Sequence, residues 1–382
     1  MSDSRNWFAP VAASRHRKFT ASVRHGILIE CDHRHLVNFA SNDYLGLSHH
    51  PTVMQAAIRC IQERGFGSGA SRLVSGDDPS LHELEGRLAE WKGYQSCLIV
   101  GSGMLANMGL LQALADRHCH IFSDKLNHAS LIDGARLSGA RQHRFAHRDY
   151  GQLEELLVRH KAEQRIIASD GVFSMDGDCA DVDRLMQLAE AHDALLLIDD
   201  AHGIGSAGPQ GRGLVAAGQV RGQPMAGHER LIEVGTLGKA FGSYGAFILG
   251  SHELIEGLRQ RQRSMIYSTA LPPAVIAAAD AALTLIQAGD FVARLQRHIS
   301  FFRQQVGALP LLESETAIQP LLIGSDDAAL NAAASLRDAG FFVPAIRPPT
   351  VPEGTARLRI TLSAAHSSAQ IRQLCAALAG LV

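Results

Sequence analysis

Six short, almost wholly apolar runs recur between residues 96 and 249, with amphipathic stretches between them, and this alternation constrains the fold most. The runs are Ser96–Val100, His120–Phe122, Ile166–Ala168, Leu195–Ile198, Leu231–Val234 and Ala246–Leu249. In one intervening stretch Leu185, Leu188, Ala189 and His192 fall at i, i+3, i+4 and i+7, the spacing of an amphipathic helix. A strand with one wet face alternates apolar and polar residues; runs this apolar need both faces covered. The pattern therefore predicts an α/β fold with a mostly parallel sheet between helical layers. Ligands of such sheets bind beyond the carboxyl ends of the strands, so the residues just after each run are examined first.

Past Leu271-Pro272-Pro273 the pattern changes. Ala-rich helices are expected over 274–287 and 291–306, then strand-like runs at Ile318–Ile323, Phe341–Ile346 and Arg357–Leu362, with helices near 328–339 and 369–378. This reads as an N-terminal arm (1–45), a large domain (46–272) and a smaller α+β domain (273–382). A chain of 382 residues with 46% hydrophobic and 19% charged residues can bury a sizeable core. Thirty-six Lys+Arg against 38 Asp+Glu, with no long run of one sign, gives none of the basic face that nucleic acid or an anionic membrane selects. No apolar stretch reaches the ~18–20 residues of a membrane span. Six cysteines without a CxxC pair argue against a disulfide framework, and a cytoplasmic location is expected.

Five motifs follow successive apolar runs. Gly235-Thr236-Leu237-Gly238-Lys239-Ala240-Phe241-Gly242 sets a lysine in a Gly-rich turn beside the sheet. Poor hydration there lowers an amine's pKa and suits Schiff-base chemistry, whereas an ordinary loop lysine faces solvent. A phosphate loop of the GxxxxGK[ST] type is not met, because Ala240 follows Lys239. Leu197-Ile198-Asp199-Asp200-Ala201-His202-Gly203 ends a strand in two carboxylates and a histidine. Such residues can hold a metal or contact a cofactor; the absence of a second cluster at ligand spacing favours the cofactor. Val100-Gly101-Ser102-Gly103-Met104-Leu105-Ala106-Asn107 opens a helix and could cradle a phosphate, although tight βα turns also use glycine for geometry alone. Asn127-His128-Ala129-Ser130 offers a stacking imidazole or a helix N-cap. Gly171-Val172-Phe173-Ser174-Met175-Asp176-Gly177-Asp178 is either a source of hydroxyls or a polar turn. A reactive amine, a carboxylate, a phosphate cradle, an imidazole and hydroxyls on one sheet edge are the parts of a pyridoxal phosphate site.

The motif order Asn42-Asp43-Tyr44-Leu45-Gly46-Leu47, Gly171–Asp178, Asp199–Gly203 and Thr236–Lys239 resembles the α-oxoamine synthases, fold-type I pyridoxal phosphate enzymes, from about Arg15 to the C-terminus. Ile346-Arg347-Pro348-Pro349-Thr350-Val351-Pro352 and Gly354–Arg359 look most like the biotin-pathway branch. The resemblance implies a fold-type I transferase, pyridoxal 5'-phosphate as cofactor and a homodimer with a shared active site. It implies an acyltransferase that condenses L-alanine with a pimeloyl thioester, on CoA or a carrier protein, releasing CO2 and the thiol. Another branch, such as 2-amino-3-ketobutyrate CoA ligase or 5-aminolevulinate synthase, is the alternative. Residue by residue it implies that Lys239 carries the cofactor and later moves the α-proton, while Asp199 pairs with the pyridinium nitrogen. His128 would stack on the ring, and His202 and Ser174 would contact its 3'-oxygen region. Thr236 and the Gly103-Met104 turn would hold the phosphate, although family members usually carry an aromatic residue where Met104 stands. Arg17 (or its neighbours Arg15 and His16), Asn42, Arg347, Thr350 and Arg359 would meet substrate, with Arg359 on the amino-acid carboxylate.

Overall fold

The computed structural model describes Val11, Arg15–His16 and residues 19–381. Three N-terminal strands, β1 (Ser22–His25), β2 (Leu28–Cys31) and β3 (Arg34–Asn38), form an antiparallel meander. Then follow β4 (Ser96–Val100), β5 (Cys119–Asp124), β6 (Arg141–Phe145), β7 (Gln164–Asp170) and β8 (Leu195–Asp199). A two-residue ladder, β9 (Gln219–Val220) with β10 (Gln223–Pro224), precedes β11 (Leu231–Thr236) and β12 (Ala246–Gly250).

The central sheet has seven strands in the order β4-β12-β11-β8-β7-β5-β6. β12 alone runs antiparallel to its neighbours. The carboxyl ends of β4, β5, β7, β8 and β11 thus share one edge. Residues one apart on a strand face opposite sides of the sheet, and two separate cores result. Leu98, Ile121, Ile166, Leu197, Ile232 and Ile248 join one, under the helices Gly103–Leu114, Ala129–Leu137 and His252–Arg261. Ile99, Phe122, Ile167, Ile198, Leu231 and Phe247 join the other, with helices Pro79–Lys92 and Val182–Ala191.

After the helices Pro273–Ala288 and Asp290–Gln305 come β13 (Ile318–Gly324), β14 (Phe341–Phe342), β15 (Ala345–Ile346) and β16 (Ala356–Thr361). β13, β16 and β15 make a small antiparallel sheet. The run Phe341–Ile346, expected as one strand, is two. Phe341–Phe342 pairs with β3 and Ala345–Ile346 with β16, since Pro344 lacks the N–H that a continuous ladder needs. The N-terminal strands therefore extend a sheet built partly from the C-terminal region. Among the described residues no single helix is long and apolar enough to cross a membrane.

Candidate active site

Gly242 closes the Lys239 turn: its N–H donates to the Lys239 carbonyl at 2.9 Å, at φ 64°, against the backbone of Ser48. A side chain there would stand 2.2 Å from the Ser48 nitrogen, so only glycine lets the turn pack. Thr236 pins the other end, donating from Oγ1 to the Gly245 carbonyl at 3.0 Å and accepting from the Gly238 N–H at 3.1 Å. Burial pulls the Lys239 ammonium down to about 8, although the carboxylates of Asp199 and Asp170 pull the other way. An appreciable fraction of the amine is therefore free near neutral pH.

Asp199 ends β8 and is 8% exposed. Its Oδ2 accepts from Asn107 Nδ2 at 2.6 Å and its Oδ1 from the Ala201 N–H at 3.1 Å. Asn107 also donates to Ser130 Oγ at 2.8 Å, and Ser130 Oγ lies 2.8 Å from His128 Nδ1. The chain Asp199–Asn107–Ser130–His128 joins two of the helices that cover this face of the sheet, Gly103–Leu114 and Ala129–Leu137. His128 caps Ala129–Leu137 by accepting from the Ser130 N–H, so the helix-cap and cofactor-contact readings are both compatible with its place. Burial holds the His128 imidazole below its usual pKa, opposed by Asp199 and assisted by Lys239. Asp170 pairs with Asp199 across β7 and β8, and both its oxygens accept from the His128 N–H. Burial first, then the Asp199 charge, pushes the Asp170 carboxyl well up.

His202 is buried and shares a hydrogen of 2.5 Å with the Tyr44 hydroxyl. Burial, then the cations Lys239 and Arg359, hold its imidazole well below the usual value, so it is neutral; burial raises Tyr44 to about 12. Arg359, on β16, is 5% exposed. It donates to the Ser174 carbonyl (2.6 Å), to Asn42 Oδ1 (3.2 Å from both Nη atoms) and to Thr361 Oγ1 (3.0 Å). None of these partners is a carboxylate, so a buried guanidinium stands ready for an anion. Gly103 and Met104 form the first turn of Gly103–Leu114, capped by Ser102 Oγ accepting from the Leu105 N–H. The first amides of that helix lack intrahelical partners and favour an anion. Met104 is 40% exposed.

A cleft of about 580 Å³ runs outward from His128 and Ser174 between Lys125, Arg144 and the segment Pro349–Pro352, with Thr350 on its rim. Arg347 is half-buried on the approach to that segment. Arg17 lies outside the described residues, and Arg15 forms ion pairs with Asp326 and Glu353.

The structure thus gathers Lys239, Asp199, His128, His202, Ser174, Asn42 and Arg359 at one sheet edge. Sequence reasoning missed Asp170, and left Asn107, Ser130 and Tyr44 inside motifs without a role of their own. A pyridoxal phosphate fits these residues: a poorly hydrated amine, a buried carboxylate held by an amide and a backbone N–H, helix amides without intrahelical partners, and a buried guanidinium whose hydrogen-bond partners are all neutral.

The sequence model for aminotransferase class I and II matches residues 34–378. The chain is 50% identical over 364 residues to the 8-amino-7-oxononanoate synthase of Herminiimonas arsenicoxydans, covering 92% of both chains. Identity to the same enzyme of Maricaulis maris (strain MCS10) is 49%, covering 94% of this chain and 89% of the relative. In structure it is similar to the serine palmitoyltransferase of S. paucimobilis with a bound PLP–myriocin aldimine, at TM-score 0.89 and 26% identity over 95% of this chain and 92% of that one. The 8-amino-7-oxononanoate synthase of Francisella tularensis superposes at TM-score 0.77 and 30% identity over 91% and 96% of the two chains. With a family match across most of its length and relatives at this identity, the chain belongs to the aminotransferase class I and II family, in the branch of the 8-amino-7-oxononanoate synthases.

Proposed function

We propose that this protein condenses L-alanine with a pimeloyl thioester to give 8-amino-7-oxononanoate, CO2 and the free thiol, with pyridoxal phosphate as cofactor. Half-identity to relatives of that name sets the reaction. The observation that carries the site is the buried Arg359, hydrogen-bonded only to neutral groups and close enough to Lys239 to help lower its pKa.

Bound, the cofactor supplies an aldehyde for an amine and a ring that withdraws electrons from the carbon beside it. The chain does the rest. Lys239 Nζ would hold the cofactor's aldehyde and would be the base that moves the proton at the alanine α-carbon. Asp199 keeps a proton on the ring nitrogen, with Asn107 fixing the carboxylate's rotation. His128 would stack on the ring, His202 and Ser174 would contact its 3'-oxygen side, and Thr236 with the Gly103–Met104 amides would hold the phosphate. Arg359, steadied by Asn42 and Ser174, would meet the alanine carboxylate with its charge and its remaining N–H. Thr350 would serve the substrates at the outer end of the cleft and Arg347 beside it, and Arg17 keeps the substrate contact that the resemblance implies. The molecule works as a homodimer with a shared site, and divides into 1–45, 46–272 and 273–382. Exposed Phe66, Leu73, Val74, Tyr244 and Tyr267 support a covered apolar face.

Thiol release on mixing the holoenzyme with L-alanine and pimeloyl-CoA, with the product identified by mass, tests the reaction. Turnover of glycine with acetyl-CoA or succinyl-CoA, and none of alanine with pimeloyl-CoA, would move the protein to another branch. Arg347→Ala is expected to lower kcat/KM for pimeloyl-CoA about tenfold to a hundredfold, the effect of ~1.4–3 kcal/mol. Alanine α-proton exchange without thioester should then stay intact.

A further inference from the structure

The imidazole of His147 has no part in the chemistry above, yet it ties together two segments that carry the site. Its Nδ1 lies 3.1 and 3.2 Å from the two oxygens of Asp124, and its Nε2 lies 2.8 Å from Asp178 Oδ2. A carboxylate on each ring nitrogen requires both nitrogens to donate, which only the imidazolium does. Phe173 meets the ring edge-on with centroids 4.4 Å apart. Burial alone lowers a histidine's pKa, but the hydrogen bonds and charges of Asp124 and Asp178 raise this one to about 9. Arg148 is the other charge here, donating from Nη1 to Asp178 Oδ2 at 3.2 Å and from its backbone N–H to Asp124 Oδ2 at 2.8 Å.

Each carboxylate belongs to a different part of the site. Asp124 ends β5 and accepts from the Leu126 N–H at 2.8 Å, so it shapes the turn that delivers Asn127 and His128. Asp178 closes the Gly171–Asp178 loop, where its carbonyl accepts from the Phe173 N–H and Gly177 donates to the Phe173 carbonyl. That loop presents the Ser174 carbonyl to Arg359, and the Met175 carbonyl and Asp176 carboxylate to Arg357. We propose that His147 is a positioning residue: bridging Asp124 and Asp178, it fixes the Ser174 loop against the His128 turn and thereby sets where Arg359 holds the amino-acid carboxylate. This rests on the reading of Arg359 given above. It assigns no atom of His147 to the reaction.

The prediction is a split between substrates. In His147→Gln one end of the amide donates, but its oxygen faces the second carboxylate, so the bridge opens on one side. With the holoenzyme, KM for alanine should rise about tenfold, and the alanine dissociation constant from calorimetry should rise in step. KM for pimeloyl-CoA should change less than about twofold. His147→Gln with Asp178→Asn restores complementary partners without charge and should bring the alanine KM back to within about threefold of the wild type. An unchanged alanine KM and affinity in a folded His147→Gln protein would reduce the residue to a fold staple and overturn the proposal. So would equal loss for both substrates without recovery in the double variant. Should the variants fail to fold, nitrogen NMR of the wild-type imidazole at pH 7 still decides: two protonated ring nitrogens are expected, and one unprotonated nitrogen overturns the bridge. Absence of thiol release by the wild type with alanine and pimeloyl-CoA would sink the reaction assignment instead, leaving the NMR and alanine calorimetry to judge His147.

Discussion

Asp199 and Asp200 are adjacent in the chain and live in different chemistries. Asp199 faces the layer of helix Gly103–Leu114, where Asn107 holds one of its oxygens near the Lys239 amine. Asp200 turns to the opposite layer. There it accepts from the Leu214 N–H at 2.7 Å and is hemmed in by Gly171, Gly203 and Gly213, whose Cβ positions would fall 1.9–2.8 Å from its oxygens. Close by, Glu233 pairs with the fully buried Lys92 at 2.5 Å and accepts from the Tyr94 hydroxyl at 2.8 Å. Burial, then the Glu233 charge, pushes the Asp200 carboxyl up to about 8. One carboxylate therefore faces the Lys239 amine at the sheet edge, and the other is arranged to lose its charge inside the core. The alternation of the chain at the end of β8 sends two identical side chains into opposite layers, a difference that composition does not show.

The largest expected effect lies on the Asp199 side. Lys239→Ala should fold and bind pyridoxal phosphate without a covalent link, while turnover falls by about three orders of magnitude or more. Appreciable turnover measured by thiol release would remove the amine from the centre of the site. It would also leave the low pKa of Lys239 as a by-product of burial.

The paired substitutions cut closer. Asp199→Asn replaces an anion by an amide that cannot hold a proton on the ring nitrogen, and alanine α-proton exchange should slow about a hundredfold or more. Asp200→Asn swaps a carboxyl that is already neutral at pH 7 for a neutral group of the same shape, and exchange should stay within about threefold. Equal losses in the two variants, read by proton NMR of alanine in deuterated buffer, would erase the distinction. The reverse order would exchange their roles.

Much of this layout is legible in the sequence, for a physical reason. Strands buried on both faces have no choice but to be apolar, so β5, β7, β8, β11 and β12 stand out, and so does β4, an edge strand that is nonetheless buried. β6 (Arg141–Phe145) does not: it is an edge strand with only Phe145 buried, and its polar residues look like loop. The meander β1–β3 hides likewise, because its first strand is exposed throughout. In the site, residues that follow a strand could be found, since the carboxyl edge tells where to look. The roles of Asn107, Ser130 and His147 could not, because they come from which helix or turn crosses above another. Asp170 was at the right edge, but its partnership with Asp199 is a matter of register between strands.

The smallest effect is in the pH dependence of stability, and it sharpens the contrast from the Asp200 side. A folded-state carboxyl raised from 3.8 to about 8 takes up a proton on folding throughout that interval. Its contribution to stability is therefore full below about pH 4 and is lost as pH rises toward 8. Asp200→Asn has no proton to bind in either state. The unfolding midpoint of the variant relative to the wild type should thus climb steadily between pH 4 and 8 and level off above. A given stability change moves the midpoint of a chain this long by less than the ~2–4 °C per kcal/mol of a 150–250-residue domain, so the direction of the climb across the interval is the readout. Differential scanning calorimetry at matched ionic strength measures it. A difference that is flat across the interval would mean that Asp200 keeps its charge when folded, and the two aspartates would then differ in position but not in protonation.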